Sequence, residues 1–143
     1  MVEIKIIKDK LAKIVQFLKE LEKVKPKGTL HEYVSNPAIR RSCERLIQLI
    51  VESAADINTQ AIIGSDETPP EDYYDTFIKA EGVGFISPTL AKRLAPWAGL
   101  RNRIVHEYQD IKDKLVFEKI EPTLQNFSEY VREAQHFIEK SES

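Results

Sequence analysis

The chain of 143 residues holds a single cysteine, Cys43, so no intramolecular disulfide can form. A domain of this length can bury a useful core without one, and a lone thiol suits a reducing compartment, so a cytoplasmic location is expected. Cys43, His31, His106 and His136 are too scattered along the sequence for zinc spacing. Paired acids at metal-ligand spacing and a glycine-rich phosphate loop are also missing, so neither a metal nor a cofactor is expected. Only five glycines and seven prolines occur, most of them between apolar-periodic segments, which favours long helices. No apolar run approaches the ~20 residues of a membrane span. Charges in Met1-Val2-Glu3-Ile4-Lys5 fall where a signal peptide needs an apolar stretch, so export is not expected. The net charge of -2 excludes a general polyanion binder, and any nucleic-acid contact must come from a local basic patch.

What is present reads as helix throughout. Ile4, Ile7, Leu11, Ile14, Leu18 and Leu21 recur at three- and four-residue spacing, an amphipathic helix that Pro26-Lys27-Gly28 ends. Its lysines alternate with acids and read as a solvated face. Leu30 to Val34 allows one short turn. Asn36-Pro37 then reads as an N-cap with proline at the first helical position, and the apolar stripe from Ile39 to Ile62 carries a long helix to about Ile63. On that helix Asp56 stands among apolar residues. A buried acid needs a partner, and an arginine from further along the chain is one candidate; an acid at the helix rim is the other reading. A shorter helix spans Tyr73 to Glu81. Ser87-Pro88 starts the next, which Pro96 and Gly99 should bend. Ile111 to Ile138 forms the last, restarted or kinked at Pro122. We expect one all-α domain over residues 1–143, an up-and-down bundle of four to five helices.

The chemistry concentrates in Gly99-Leu100-Arg101-Asn102-Arg103-Ile104-Val105-His106-Glu107-Tyr108. Imidazole accepts or donates a proton near physiological pH. Arg101 and Arg103 offer cations for a phosphate and for the charge of a pentacoordinate transition state. That suffices for metal-free RNA cleavage, because the ribose 2′-hydroxyl supplies the nucleophile. On a straight helix Arg101 and His106 are five positions apart, about 140° around the axis. Asn102 and Arg103, four and three before His106, neighbour it. Either the helix distorts, or Arg101 curls round, or two subunits pool their motifs. Spacing alone leaves open a second reading, in which these side chains form salt bridges and a helix C-terminal cap.

Arg101-Asn102-Arg103-Ile104-Val105-His106-Glu107-Tyr108 matches the Arg-x-x-x-x-His-x-Tyr motif and resembles HEPN-domain proteins of the HepT type. Gly99-Leu100, Gly82 to Pro88, Pro70 to Phe77 and Asp56 resemble that family too. The resemblance implies a homodimeric helical bundle whose Arg and His motifs meet in a cleft at the dimer interface. It implies a metal-independent ribonuclease toxin of a toxin–antitoxin pair, paired with a minimal nucleotidyltransferase antitoxin of the MntA kind. By position, Arg101 and His106 would be catalytic, Asn102 would support them, and Tyr108 would receive AMP from the antitoxin. Arg103 and Asp56 are added as supporting or RNA-binding residues. Transfer RNA and messenger RNA are both open as substrate. The alternative is a non-catalytic helical dimer that binds a nucleotide or the nucleotidyltransferase.

Overall fold

The computed structural model describes residues 3–65, 68–107 and 111–142. These form seven helical segments: α1 (Ile4–Val24), α2 (Leu30–Val34), α3 (Pro37–Ile63), α4 (Tyr73–Gly82), α5 (Pro88–Leu94), α6 (Trp97–His106) and α7 (Asp113–Glu142). No strand occurs among the described residues. The long helices α1, α3 and α7 pack against one another; α4 and α6 lie on α3, and α5 lies against α4 and α7.

The starts follow side-chain chemistry. Asn36 Oδ1 accepts from the Ile39 N–H ahead of Pro37, and Asp72 Oδ1 accepts from the Asp75 N–H at 2.8 Å. Ser87 Oγ caps α5 by accepting from the Leu90 N–H, while its own hydrogen goes to Glu133 Oε2 on α7 at 3.0 Å. Helix α4 ends in a Schellman turn. Phe85 N–H reaches the Ala80 carbonyl and Gly84 N–H the Glu81 carbonyl, with Gly84 at φ +80°, where a side chain would be strained.

Two departures from the sequence expectation involve proline. The helix expected from Ser87 onward is two helices, α5 and α6. Pro96 has no N–H to give the Lys92 carbonyl. Short bonds from Ala98 N–H to Ala95 and from Gly99 N–H to Pro96 tighten the chain there, and α6 sets off anew. Pro122 has the opposite outcome, because α7 runs through it as one helix. An interior proline costs ~3 kcal/mol. Burial of Ile120, Leu124, Phe127 and Tyr130 on either side offsets that cost. The Thr123 hydroxyl also donates to the Lys119 carbonyl.

One core joins the helices. Ile7, Leu11, Ile14, Leu18 and Leu21 of α1 meet Ile47, Ile50, Val51, Ala54 and Ile57 of α3 and Phe127, Tyr130, Val131 and Ala134 of α7. No described helix is long and apolar enough to cross a membrane.

Candidate active site

The roll of α6 about its axis is set by its apolar positions. Trp97, Ala98, Leu100 and Ile104 are buried, and the Trp97 indole N–H donates to Thr123 Oγ1 on α7 at 2.9 Å. Arg101 follows Trp97 by four residues and precedes Ile104 by three, so it sits at the edge of the buried face. Its side chain is 19% exposed.

Three neighbours hold the guanidinium. Nε donates to Glu52 Oε2 on α3 at 2.8 Å. Nη1 donates to Asn102 Oδ1 at 3.2 Å. The Tyr73 ring of α4 lies beneath it, 4.7 Å from ring centre to guanidinium carbon. Gln48 Nε2 donates to the same Glu52 oxygen at 3.0 Å, so that carboxylate is itself oriented. A guanidinium has five N–H donors in one plane. With Nε and Nη1 engaged, the other Nη hydrogens have no hydrogen-bond partner among the described residues and are held in a fixed direction for an anion.

His106 is exposed at the last position of α6 and makes no side-chain hydrogen bond to another described residue. Arg103 pairs with Glu107 at 3.6 Å across one helical turn, with both side chains well exposed, a weak contact that leaves the cation available. The helix stays regular to its end, where the Glu107 N–H meets the Arg103 carbonyl at 2.8 Å. Arg101 and His106 therefore keep the separation of a straight helix, about 140° around the axis and about 7.5 Å along it. Arg101 points toward α3 and α4, and His106 stands in solvent. Of the three routes that would unite them, distortion of α6 is not the one taken. Tyr108 lies outside the described residues.

Asp56 is not the acid that meets the motif. It is 60% exposed and lies 3.8 Å from Lys10 Nζ of α1. Asp56 is thus the acid at the helix rim, the second of its two readings, and Glu52, one turn earlier on α3, is level with Arg101 and takes the arginine contact. Sequence periodicity marks both acids as members of one helix face and carries no information about which lies opposite α6. Gln48 and Tyr73 were missed for the same reason, since their roles depend on how α3, α4 and α6 pack. Cys43 is fully buried on the core stripe, and burial pushes its thiol up to about 11, which excludes it as a nucleophile. His31 and His136 are exposed and far from the cluster in sequence. Among the described residues no three His, Cys, Asp or Glu side chains come together as a metal-ligand group.

With this geometry in hand, the comparisons with known proteins are specific. The family model described as "Ribonuclease HepT-like" matches residues 7–134. The "tRNA nuclease HepT" of Aphanizomenon flos-aquae is 35% identical over 93% of this chain and 90% of its own length. The "mRNA nuclease HepT" of Shewanella oneidensis is 24% identical over 88% of this chain and 93% of its own length. In structure, a tri-AMPylated Shewanella oneidensis HEPN toxin solved in complex with an MNT antitoxin shares the fold, with a TM-score of 0.83 at 23% identity, covering 95% of this chain and 99% of the other. The chain belongs to the family of HepT-like ribonucleases, enzymes that cut RNA.

Proposed function

We propose that this chain is the metal-independent endoribonuclease toxin of a toxin–antitoxin pair, working as a homodimer in the cytoplasm. Arg101 carries the reading, because Glu52, Asn102 and Tyr73 hold its guanidinium with donors to spare, at the edge of the core and on the helix that presents His106. Cleavage proceeds by loss of the 2′-hydroxyl proton to an imidazole, attack of O2′ on phosphorus, and departure of the 5′-oxygen with a proton from an acid. The products are a 2′,3′-cyclic phosphate and a 5′-hydroxyl. Arg101 neutralises the charge that builds on the phosphoryl oxygens, with Asn102 fixing its direction and Arg103 adding cationic field.

One imidazole cannot be both base and acid in the same step. Two copies of His106 facing each other across a dimer cleft supply both, and they bring an imidazole to each Arg101, which one straight helix does not. The partner is a minimal nucleotidyltransferase antitoxin, in keeping with the complexes formed by the structural relatives. AMP on Tyr108 adds bulk and negative charge beside the cationic clamp and shuts the site.

The test is incubation of the unmodified protein with total RNA in EDTA, beside His106→Ala and Arg101→Ala. Fragments ending in cyclic phosphate, from the wild type alone, are expected. Cleavage that survives in both variants would sink the assignment. Intact RNA in all lanes, with no AMP on Tyr108 by mass spectrometry, would favour the binding-module reading.

A further inference from the structure

The face of α3 that ends on Glu52 continues toward the helix N-terminus with Arg41, Glu44, Arg45 and Gln48. Positions 41, 45, 48 and 52 repeat at helical spacing, so they form one stripe, about 16 Å long at 1.5 Å per residue. Against Ile104 of α6, Arg41, Glu44, Arg45 and Gln48 line a groove of about 340 Å³. The groove joins the site directly, since Gln48 lines it and also donates to the carboxylate that holds Arg101.

One of its polar groups is left open toward a ligand. Arg45 is exposed and has no carboxylate within ion-pair distance among the described residues. Arg41 Nη1 is held by Glu44 Oε1 at 2.9 Å. Glu44 is only 5% exposed, and its second oxygen is buried without a hydrogen-bond partner among the described residues. A buried acceptor in this state is costly. In a chain of net charge -2, this face gathers Arg41, Arg45 and Arg101 around two acids, Glu44 and Glu52, that are already committed to Arg41 and Arg101.

We propose that the groove between α3 and α6 is an RNA subsite beside the cleavage centre, in which Arg45, with Arg41 behind it, holds a phosphate next to the scissile one. This rests on the ribonuclease reading of Arg101 and His106. The groove lengthens the bound strand along α3, so affinity for a long RNA depends on residues that never touch the reacting phosphate.

The experiment uses the full chain and the exposed-site variant Arg45→Ala. Binding of an uncleavable, 2′-O-methylated single-stranded oligonucleotide is followed by fluorescence anisotropy from low to high salt. Each single-strand phosphate that is no longer neutralised by a protein cation lowers the log–log salt slope by about 0.7. The variant is expected to bind several-fold more weakly at low salt, with its slope reduced by one such step. A cleavable oligonucleotide and a dinucleotide are then compared in EDTA. A dinucleotide holds only the scissile phosphate, so the variant should cut it at the wild-type rate while its KM for the longer RNA rises. An unchanged slope with unchanged KM overturns the proposal, and weaker binding of an antitoxin instead would assign the groove to a protein. Equal losses on both cleavable substrates would overturn it too, because Arg45 would then act at the cleavage centre itself. A wild type that carries no AMP on Tyr108 by mass spectrometry and cuts neither substrate refutes the ribonuclease reading, while the binding arm still decides whether the groove holds RNA.

Discussion

Removing one oxygen from the centre of the bundle should be felt throughout the molecule. Tyr130 of α7 is fully buried, and its hydroxyl donates to Asn58 Oδ1 of α3 at 2.6 Å, with the Ala54 carbonyl at 3.1 Å. Asn58 Nδ2 in turn reaches Thr76 Oγ1 of α4 at 3.3 Å, and that hydroxyl donates to the Tyr73 carbonyl at 2.7 Å. The network thus ties three helices together and seats the end of α4 that carries the Tyr73 ring under Arg101. Tyr130→Phe keeps the ring, so no large cavity forms. It leaves Asn58 Oδ1 buried without its donor, at a cost of about 1–3 kcal/mol. Urea unfolding, followed by circular dichroism at fixed protein concentration because a dimer would couple stability to concentration, should show the loss. For a urea slope of about 2 kcal/mol per M, a 2 kcal/mol loss lowers the midpoint by about 1 M. Adding Asn58→Leu removes the stranded acceptor as well, and Thr76 keeps its bond to the Tyr73 carbonyl. The double variant should therefore lose less than the sum of the two single variants. A midpoint for Tyr130→Phe equal to wild type, or strict additivity in the cycle, would refute the reasoning.

Glu52→Ala should cut kcat/KM for RNA by up to about 100-fold, because Arg101 loses the anchor that aims it. Glu52→Gln, which keeps an acceptor, should lose less, and Asp56→Ala should leave cleavage unchanged. In the native protein at pH 8, Cys43 should resist alkylation by iodoacetamide, since burial pushes its thiol up to about 11 and the thiolate is the reactive form; full reactivity should return in urea, as read by mass spectrometry. The Asp75 carboxyl is held below its usual range, first by the Glu71 backbone N–H and then by Lys79. A depressed carboxyl contributes stability above its unfolded pKa, and that contribution is lost as pH falls through the folded value. Asp75→Asn should therefore be less stable than wild type at pH 7, with the gap closing below about pH 4, as measured by urea midpoints at both pH values.

The sequence by itself determined the helices and the chemistry on offer. Apolar spacing of three and four residues marked the faces of α1, α3 and α7, and Asn36-Pro37 and Ser87-Pro88 marked where α3 and α5 begin, because a cap and a periodic face are local properties. The motif from Arg101 to Tyr108 pointed to the ribonuclease family for a similar reason, since a family signature is written in neighbouring residues. The tertiary structure alone decided what those residues touch. Pro96 splits a helix and Pro122 does not, although buried apolar residues flank both, so the proline in the sequence does not by itself fix the outcome. Glu52 and Asp56 are equivalent on a helical wheel, yet one holds Arg101 and the other faces Lys10. That choice depends on the height at which α6 crosses α3, a long-range outcome of the whole core that no run of residues encodes alone.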